Sequence, residues 1–248
     1  MHDSTYLDQI SKTQDAGVDF RKIADLFEET APRMRILDCG CSGGTVSGAL
    51  AGRHFVVGVD VLPELLAEAS GRGLKPVNAD ASAFLPFRDA SFDLVILGDI
   101  LEHLVDPEKL VREAVRVLAR GGRVIASVPN YYSIVRRIRF LRGKSMVIDS
   151  HSPYRSYNYF HLRFFTLEDF EELFQRLGFT IIERSYKWTG VCGYEDRRLK
   201  RWWKRFNKLP RGLQTRLTNW RPMLFSHEFA LLAERPADSE TPECRESS

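Results

Sequence analysis

The sequence predicts an α/β protein with a doubly wound, mostly parallel sheet, and three observations support that prediction. Short apolar runs alternate with helical patterns from residue 35 to residue 130, the spacing expected of βαβ units. The run DLVILG at 93–98 is apolar at successive positions, as in a strand that is buried on both faces. A chain of 248 residues is also long enough to bury the core that such a fold needs.

Each element follows from a local pattern. The predicted strands cover 35–39, 54–60, 75–80, 91–99, 123–130, 180–188 and 226–234, and the predicted helices cover 19–29, 43–52, 63–70, 106–120 and 166–179. Asp106 is the expected N-cap of its helix, and the glycine pair at 121–122 is expected to end it. Thr166 and Asp169 form a predicted capping box.

The chain is expected to fold as a single domain over residues 1–234, with two irregular additions. Residues 131–165 interrupt the alternation and are rich in Tyr, Arg and Phe, which predicts an insertion or lid. Residues 196–221 are predicted to form a basic, aromatic helical segment, and the polar tail 235–248 is expected to be disordered.

Composition excludes several classes of protein. The chain is 44% apolar and 28% charged with four cysteines, which excludes collagen-like, wholly disordered and disulfide-scaffold proteins. No apolar run approaches the roughly 20 residues that span a bilayer, and the first 25 residues lack the apolar core of a signal peptide. A cytoplasmic location is therefore expected.

The net charge of +3 hides an asymmetry. Residues 1–130 carry 14 basic and 19 acidic side chains, whereas residues 131–248 carry 22 basic and 14 acidic ones. The two halves are therefore expected to contact different ligands.

The most informative segment is ILDCGCSGGT at 36–45, a predicted strand, glycine-rich turn and helix start. Its glycines do not fit the dinucleotide pattern G-x-G-x-x-G, because Ser42 and Thr45 occupy two glycine positions. Asp38 decides between ligands: at ~4 Å a carboxylate would repel a pyrophosphate by roughly 4 kcal/mol at an effective dielectric near 20. The same carboxylate attracts a ligand that carries an ammonium and a sulfonium, such as S-adenosylmethionine.

Two further acids end the next predicted strands. Asp60 is placed to bind both ribose hydroxyls, or else to cap the following helix, and Asp80 is placed to meet an adenine amine, or else to stabilise a turn. Ligands of open parallel sheets bind at the carboxyl ends of the strands, where all three acids are predicted to lie.

Five segments resemble the successive motifs of class I S-adenosylmethionine-dependent methyltransferases. They are ILDCGCSGG, VVGVD, NAD, FDLVILGDILEHL and LARGGRVIASVPN. The resemblance implies a seven-stranded sheet of order 3-2-1-4-5-7-6 whose seventh strand is antiparallel. It also implies which residues bind the cofactor: Asp38, Gly40 and Gly44 at the methionine end, Asp60 with Val61 at the ribose, Asp80 with Ala81 at the adenine, and Gly98 at the end of the fourth strand. Ser42 departs from the family's usual middle glycine.

Two histidines are candidates for removing a proton from the methyl acceptor, because imidazole titrates near neutral pH. His103 lies in the segment that follows the fourth strand and is the first candidate. His161, in the predicted insertion, is the second. The alternatives are that His103 orients a neighbouring carboxylate or caps a helix, and that His161 is a packed lid residue.

Asp99, Glu102 and His103, with His161 farther along, also resemble the metal-binding set of small-RNA terminal 2′-O-methyltransferases. Such a set of oxygen and nitrogen ligands would suit Mg²⁺ or Mn²⁺. This leaves open a metal-assisted RNA 2′-O-methyltransferase.

The stretch 197–221 contains ten Lys and Arg and no acidic residue, with aromatic side chains at helical spacing. It is interpreted as a lid helix with a solvated basic face, or as a surface that contacts an anionic membrane, a phosphorylated substrate or RNA, with RNA the least expected of these. Nucleic acid is not an expected partner.

The leading hypothesis is O-methylation of a hydroxyl on a small molecule, a sugar or a lipid-linked intermediate. Peripheral contact with the inner face of a membrane accompanies that hypothesis. A catalytically silent, cofactor-binding scaffold subunit is the alternative outside the enzymes.

Overall fold

The computed structural model describes residues 33–145, 161–188 and 208–236. Seven strands are present in these ranges: β1 (Arg35–Cys39), β2 (Phe55–Asp60), β3 (Lys75–Asn78), β4 (Phe92–Gly98), β5 (Leu118–Pro129), β6 (Thr180–Trp188) and β7 (Ser226–Glu234). The α-helices are α1 (Gly48–Ala51), α2 (Pro63–Gly71), α3 (Pro107–Val117), α4 (Ile134–Leu141), α5 (Leu167–Arg176), α6 (Arg211–Trp220) and α7 (Pro222–Phe225), and Leu101–His103 form a 3₁₀ turn.

The strands form one sheet of order β3-β2-β1-β4-β5-β7-β6, which confirms the predicted fold. β7 runs antiparallel to both β5 and β6, and the other pairings are parallel. From β1 the strands are added outward in one direction through β2 and β3, and from β4 in the other, so the loops that follow β1 and β4 flank the crevice where doubly wound sheets bind ligands.

The core has two apolar layers, one on each face of the sheet. One layer packs the buried faces of α3 and α5, which include Leu110 and Phe170, against the sheet. The other packs α1 and α2 through Leu50 and Leu66. Helices therefore cover both faces, as the central parallel strands require.

Several predicted boundaries are correct and others are wrong. Asp106 caps α3 by accepting from the amide of Lys109, and the Thr166–Asp169 capping box of α5 is present. The helix predicted over 106–120 ends at Val117, because Leu118 is extended (ψ 139°) and pairs with Phe92 at the start of β5. The glycine pair lies inside that strand, next to an irregularity in its register, rather than at a helix end.

The predicted additions to the domain also differ in detail. The insertion contains α4, and the basic segment contains α6 in its described part. Arg235 is not part of a disordered tail, because its guanidinium donates to the carbonyl oxygens of Val115 and Leu118. The helix predicted over 19–29, most of the insertion's second half and the tail after 236 lie outside the described residues.

Within the three described ranges, no helix combines the length and apolar character that crossing a membrane requires.

Candidate functional site

The first half of the candidate site is the carboxyl edge of β1 and β2, here called the cofactor edge (residues 38–45 and 58–62). Asp38 pairs in register with Gly58, two residues before Asp60, so both carboxylates lie at the same end of neighbouring parallel strands. The negative charge of Asp60 adds a smaller contribution to the raised pKa of Asp38, after burial and the opposing Ser47 hydrogen bond. The sequence predicted that Asp38 and Asp60 would lie at the carboxyl ends of their strands, and the structure places them there.

Asp38 is a buried carboxyl group without a cationic partner among the described residues. Its side chain is 4% exposed and accepts a 2.5 Å hydrogen bond from the hydroxyl of Ser47. Burial raises its pKa from 3.8 to about 7, and the Ser47 hydrogen bond opposes that rise. A buried carboxyl group in this condition would be stabilised by the ammonium of a bound ligand.

The turn after β1 is built around Gly40, whose φ of +71° favours glycine. A Cβ at this position would lie 2.8 Å from Cδ1 of Ile100, so the turn packs directly on the segment that follows β4. The amides of Gly40 and Cys41 both donate to the carbonyl oxygen of Val59 (2.8 and 3.0 Å), which fastens the turn to β2. Gly44 also has a positive φ, +72°.

Ser42 has a left-handed backbone (φ +49°). This conformation favours glycine, which explains why the methyltransferase motif usually has a glycine at this position. Its amide donates to Oδ2 of Asp60 (2.9 Å), and the amide of Leu62 donates to Oδ1 (3.0 Å). Asp60 is thus oriented by two backbone groups and does not supply the side-chain N-cap of α2. Each carboxylate oxygen has a second lone pair, so both can also accept from ribose hydroxyls.

The remaining predicted cofactor residues lie around this edge. Asp80 is exposed and accepts from the amide of Ser82 (2.8 Å), because β3 ends at Asn78 and leaves Asp80 in a turn rather than at a strand end. Ala81 is buried beside it, whereas Val61 is exposed. Gly98 ends β4 opposite Ser127 of β5. The structure thus places Asp38 and Asp60 at the ends of neighbouring strands, and it leaves Asp80 exposed in the segment that follows β3.

The second half of the site is the acceptor cluster, formed by Glu102, His103 and His161. One ligand atom from each of the three side chains lies within 4.8 Å of the others. The two imidazole rings meet edge to face with centroids 4.5 Å apart. Glu102 and His103 lie on the 3₁₀ turn directly after Ile100, and Ile100 packs on the Gly40 turn, so the segment that carries these two residues adjoins the cofactor edge. The two predicted catalytic histidines are therefore neighbours.

Hydrogen bonds join the two segments of the acceptor cluster and connect His161 to Tyr131. The amides of Leu162 and Arg163 both donate to the carbonyl oxygen of Glu102 (2.7 and 3.1 Å). The hydroxyl of Tyr131 lies 2.5 Å from Nδ1 of His161, and the guanidinium of Arg136 stacks over the Tyr131 ring. His161 is therefore held in one orientation.

Burial controls the charge of the acceptor cluster. Burial, with a contribution from the charge of Asp99, raises the pKa of Glu102 well above its usual value. Burial also lowers the pKa of His161 to about 3, with smaller contributions from His103 and Arg136, so its imidazole is neutral at neutral pH. Among the described residues, nothing donates a hydrogen bond to Oε2 of Glu102, which is 1% exposed.

Asp99 does not join the acceptor cluster, contrary to the four-residue set that the sequence suggested. Its carboxyl accepts from the hydroxyl of Ser127 (2.9 Å) and is hydrogen-bonded to Glu228. Its backbone is left-handed (φ +48°) and its amide donates to Ser127, which directs the side chain toward β5 and β7.

Sequence reasoning missed the residues that orient these groups. Ser47 and Tyr131 gave no motif signal, because their partners Asp38 and His161 are 9 and 30 positions away. The position of Tyr131 directly after a buried strand is the one sequence feature that could have indicated it.

Comparison with known proteins identifies the family. Residues 37–126 match a family model described as a methyltransferase domain. A demethylmenaquinone methyltransferase from Thermus thermophilus is 36% identical over 152 residues, which cover 54% of this chain and 68% of that protein. The chain belongs to the S-adenosylmethionine-dependent methyltransferases. Its cofactor is S-adenosylmethionine, and the buried Asp38 and the tight Gly40 turn fit that ligand.

Other relatives agree with this assignment over shorter spans. A ubiquinone biosynthesis O-methyltransferase from Xylella fastidiosa is 36% identical over 104 residues, 39% of this methyltransferase. The chain spans 42% of that protein, and 40% of a Streptomyces fradiae protein that is 33% identical. A solved S-adenosylmethionine-dependent methyltransferase from Methanosarcina mazei shares the fold, with a TM-score of 0.59 and 19% identity over 85% of this chain and 96% of that one.

Proposed function

We propose that this methyltransferase O-methylates a hydroxyl group of a small molecule. The observation that carries the proposal is the acceptor cluster: two imidazoles and a carboxyl group meet beside the cofactor edge. Methylation of a hydroxyl requires removal of its proton, and imidazole is well suited to that step near neutral pH. The similarity to a demethylmenaquinone methyltransferase from Thermus and a ubiquinone biosynthesis O-methyltransferase from Xylella supports a small acceptor.

The cofactor edge would bind and orient the cofactor. Asp38 would bind its ammonium, the Gly40 turn would allow close approach of the backbone, and Asp60 would accept from its ribose hydroxyls. When bound, S-adenosylmethionine supplies a methyl group activated by a positively charged sulfur. The chain's contribution is then mainly to hold the acceptor in line with that group, which in well-oriented reactions lowers the barrier by about 7–11 kcal/mol.

His103 is the first candidate for accepting the hydroxyl proton, and His161 is the second and the weaker base, because burial lowers its pKa to about 3. Nδ1 of His161 faces the hydroxyl of Tyr131, so Nε2 is the nitrogen that can face an acceptor. His103 is on the 3₁₀ turn next to Ile100 and is therefore nearer in the chain to the cofactor edge. The lower basicity of His161 supports this order.

An acceptor that carries a phosphate or a lipid chain is proposed within the same function, acting in the cytoplasm at an anionic membrane face. α4 and its C-terminal end present exposed Phe140 and Leu141 together with Arg137, Arg142 and Lys144. Apolar and basic side chains on one short helix favour contact with anionic lipid, at about 1 kcal/mol per basic residue near the surface.

Phe140→Ser should lower flotation with phosphatidylserine vesicles at low salt, and Phe55→Ser, at an exposed phenylalanine of β2, should not. Absence of flotation by the unaltered chain would exclude the membrane contact.

The acceptor class is tested with S-adenosylmethionine that carries a trideuterated methyl group. The chain is incubated with matched panels of phenols, catechols, sugars, polyprenyl phosphates and short RNAs, and products are read by mass spectrometry. The expected result is label on a hydroxyl of a small or lipid-linked acceptor. Label confined to RNA, or bound cofactor without label on any acceptor, would overturn the proposal in favour of an RNA methyltransferase or a silent cofactor-binding subunit.

A further inference from the structure

We propose that Glu102, His103 and His161 bind a first-row divalent metal ion, and that this ion coordinates the hydroxyl oxygen of the acceptor. The first part concerns the chain alone, and the second part rests on the proposed function. The side chains come from two segments separated by 58 positions, and the fold brings them together beside the cofactor edge.

The first support is the geometry. The three ligand atoms lie within 4.8 Å of one another. Ligands bonded to a metal at about 2.0–2.2 Å are separated by roughly 3–4 Å, so each side chain needs only a small inward rotation to reach a shared ion. Neither ring has to leave its segment to make that movement.

The second support is the buried carboxyl group. Glu102 is 1% exposed, and within the described ranges its Oε2 has no hydrogen-bond donor. Buried polar groups nearly always have a partner, and an ionised carboxylate buried without one is strongly unfavourable. A cation next to Oε2 would neutralise the charge and satisfy that oxygen.

The third support is the orientation of the rings. The Tyr131 hydroxyl lies 2.5 Å from Nδ1 of His161, so a metal ion would bind this ring through Nε2. Metal-bound histidines usually have such a partner on their second nitrogen, which fixes the ring and its tautomer. The amides of Leu162 and Arg163 fasten the segment next to His161 to the carbonyl of Glu102, so two of the ligands are tied through the backbone.

The ligand set indicates which ions fit. Two imidazoles and one carboxylate suit borderline first-row ions such as Zn²⁺, Fe²⁺, Co²⁺ and Mn²⁺ better than Mg²⁺ or Ca²⁺, which prefer oxygen ligands. Asp99, bound to Ser127 and Glu228, is not needed as a ligand. Three protein ligands leave coordination positions open for an acceptor oxygen.

An acceptor hydroxyl at an open position would become more acidic, as water does on a bound metal ion. Its proton would leave to solvent, and the oxygen would keep the bonding electron pair as its nucleophilic lone pair. The ion would then take the place of His103 as the group that activates the hydroxyl, because both imidazoles would be its ligands. The cation would also select acceptors whose hydroxyl can approach it in a chelating arrangement.

Metal binding is measured on the full chain without cofactor or acceptor. Chelator-treated protein is titrated with Co²⁺ and followed by visible absorption, and equilibrium dialysis with Zn²⁺ and Mn²⁺ is read by elemental analysis. We expect one ion per chain, and about a hundredfold weaker binding in the isosteric variant Glu102→Gln. The matched control Glu183→Gln, at an exposed position of β6, should bind as the unaltered chain does. Unchanged S-adenosylhomocysteine binding shows that each variant is folded.

Two results would overturn the metal site: no stoichiometric binding of Co²⁺, Zn²⁺ or Mn²⁺ by the unaltered chain, or equal binding by the Glu102→Gln and Glu183→Gln variants. Activity separates this proposal from the proposed function. Label transfer to a hydroxyl that continues after complete chelation contradicts coordination of the acceptor by the ion and leaves O-methylation standing. Stoichiometric metal binding without transfer to any hydroxyl supports the site and contradicts O-methylation.

Discussion

The cofactor edge and the acceptor cluster are built from different parts of the chain. The cofactor edge comes from one stretch between residues 38 and 62 and depends on backbone geometry, with Gly40 and Ser42 in left-handed conformations. The acceptor cluster depends on side chains that three separate segments bring together, including Tyr131 and His161. A cofactor shared across a family requires the same backbone turn, whereas an acceptor is selected by contacts that tertiary structure assembles.

Charge separates the two regions further. The cofactor edge contains Asp38 and Asp60 and, among the described residues, no basic partner for Asp38. The acceptor cluster combines one carboxyl group with two imidazoles. Changes in the first region should therefore alter cofactor affinity, and changes in the second should alter metal binding and transfer.

The largest effect is expected at Asp38. Asp38→Asn removes the charge that would bind the cofactor's ammonium, and S-adenosylhomocysteine affinity should fall about a hundredfold, the upper range for a charged hydrogen bond. Isothermal titration calorimetry measures the loss. Asp93→Asn is the matched control, because Asp93 forms a surface ion pair with Arg35 on the same sheet. Equal losses in the two variants would contradict the assigned role of Asp38.

The pH dependence of cofactor binding is the next largest effect. Burial raises the pKa of Asp38 to about 7, so the group is protonated below pH 7 in the free protein. A bound ammonium favours the ionised form; affinity for S-adenosylhomocysteine should therefore fall as pH drops from 7.5 to 5.5, approaching tenfold per pH unit. Calorimetry in buffers of different ionisation enthalpy should show proton release at pH 6. A flat affinity over this range would contradict a raised pKa.

A change at Tyr131 should affect the acceptor cluster alone. Tyr131→Phe removes the hydroxyl that orients His161, and Co²⁺ affinity should weaken about tenfold, the low end for loss of such an orienting group. S-adenosylhomocysteine binding should stay within experimental error of the unaltered chain. A variant that loses cofactor affinity with unchanged Co²⁺ binding would show that the two regions are not separable in the way described.

The smallest effect is expected at Gly40. A methyl group at this position would contact the flexible end of Ile100, and the φ of +71° is unfavourable for alanine. Gly40→Ala should therefore weaken cofactor binding about fivefold and lower the free energy of unfolding by about 1 kcal/mol. Gly121→Ala is the control, because Gly121 has a similar φ (+69°) in open space. It should lose the same stability with unchanged affinity. Equal affinity losses would contradict the role of the turn.

The sequence predicted the cofactor edge well because its signals are local. Asp38, Gly40 and Asp60 lie where strand periodicity and the glycine pattern placed them, and the strand order agreed with the resemblance. The strand after α3 was predicted too short, because the glycine pair at 121–122 reads as a helix stop although β5 already begins at Leu118.

The acceptor cluster was predicted only in part, because its signals are not local. His103 and His161 were selected singly as bases, but the sequence could not show that their rings touch or that Tyr131 orients one of them. It also placed Asp99 in a metal set, although Ser127 and Glu228 bind that carboxyl instead. Contacts across 28 to 129 positions of sequence depend on packing, which periodicity does not report.

The most direct test of the central claim is a pair of calorimetric titrations of the full chain, one with S-adenosylmethionine and one with NAD⁺. If the buried Asp38 selects a cationic nucleoside, S-adenosylmethionine should bind with one-to-one stoichiometry and NAD⁺ should give no measurable heat of binding. Repulsion of roughly 4 kcal/mol between Asp38 and a pyrophosphate ~4 Å away corresponds to a preference of almost a thousandfold. Binding of NAD⁺ as tight as that of S-adenosylmethionine would contradict the account.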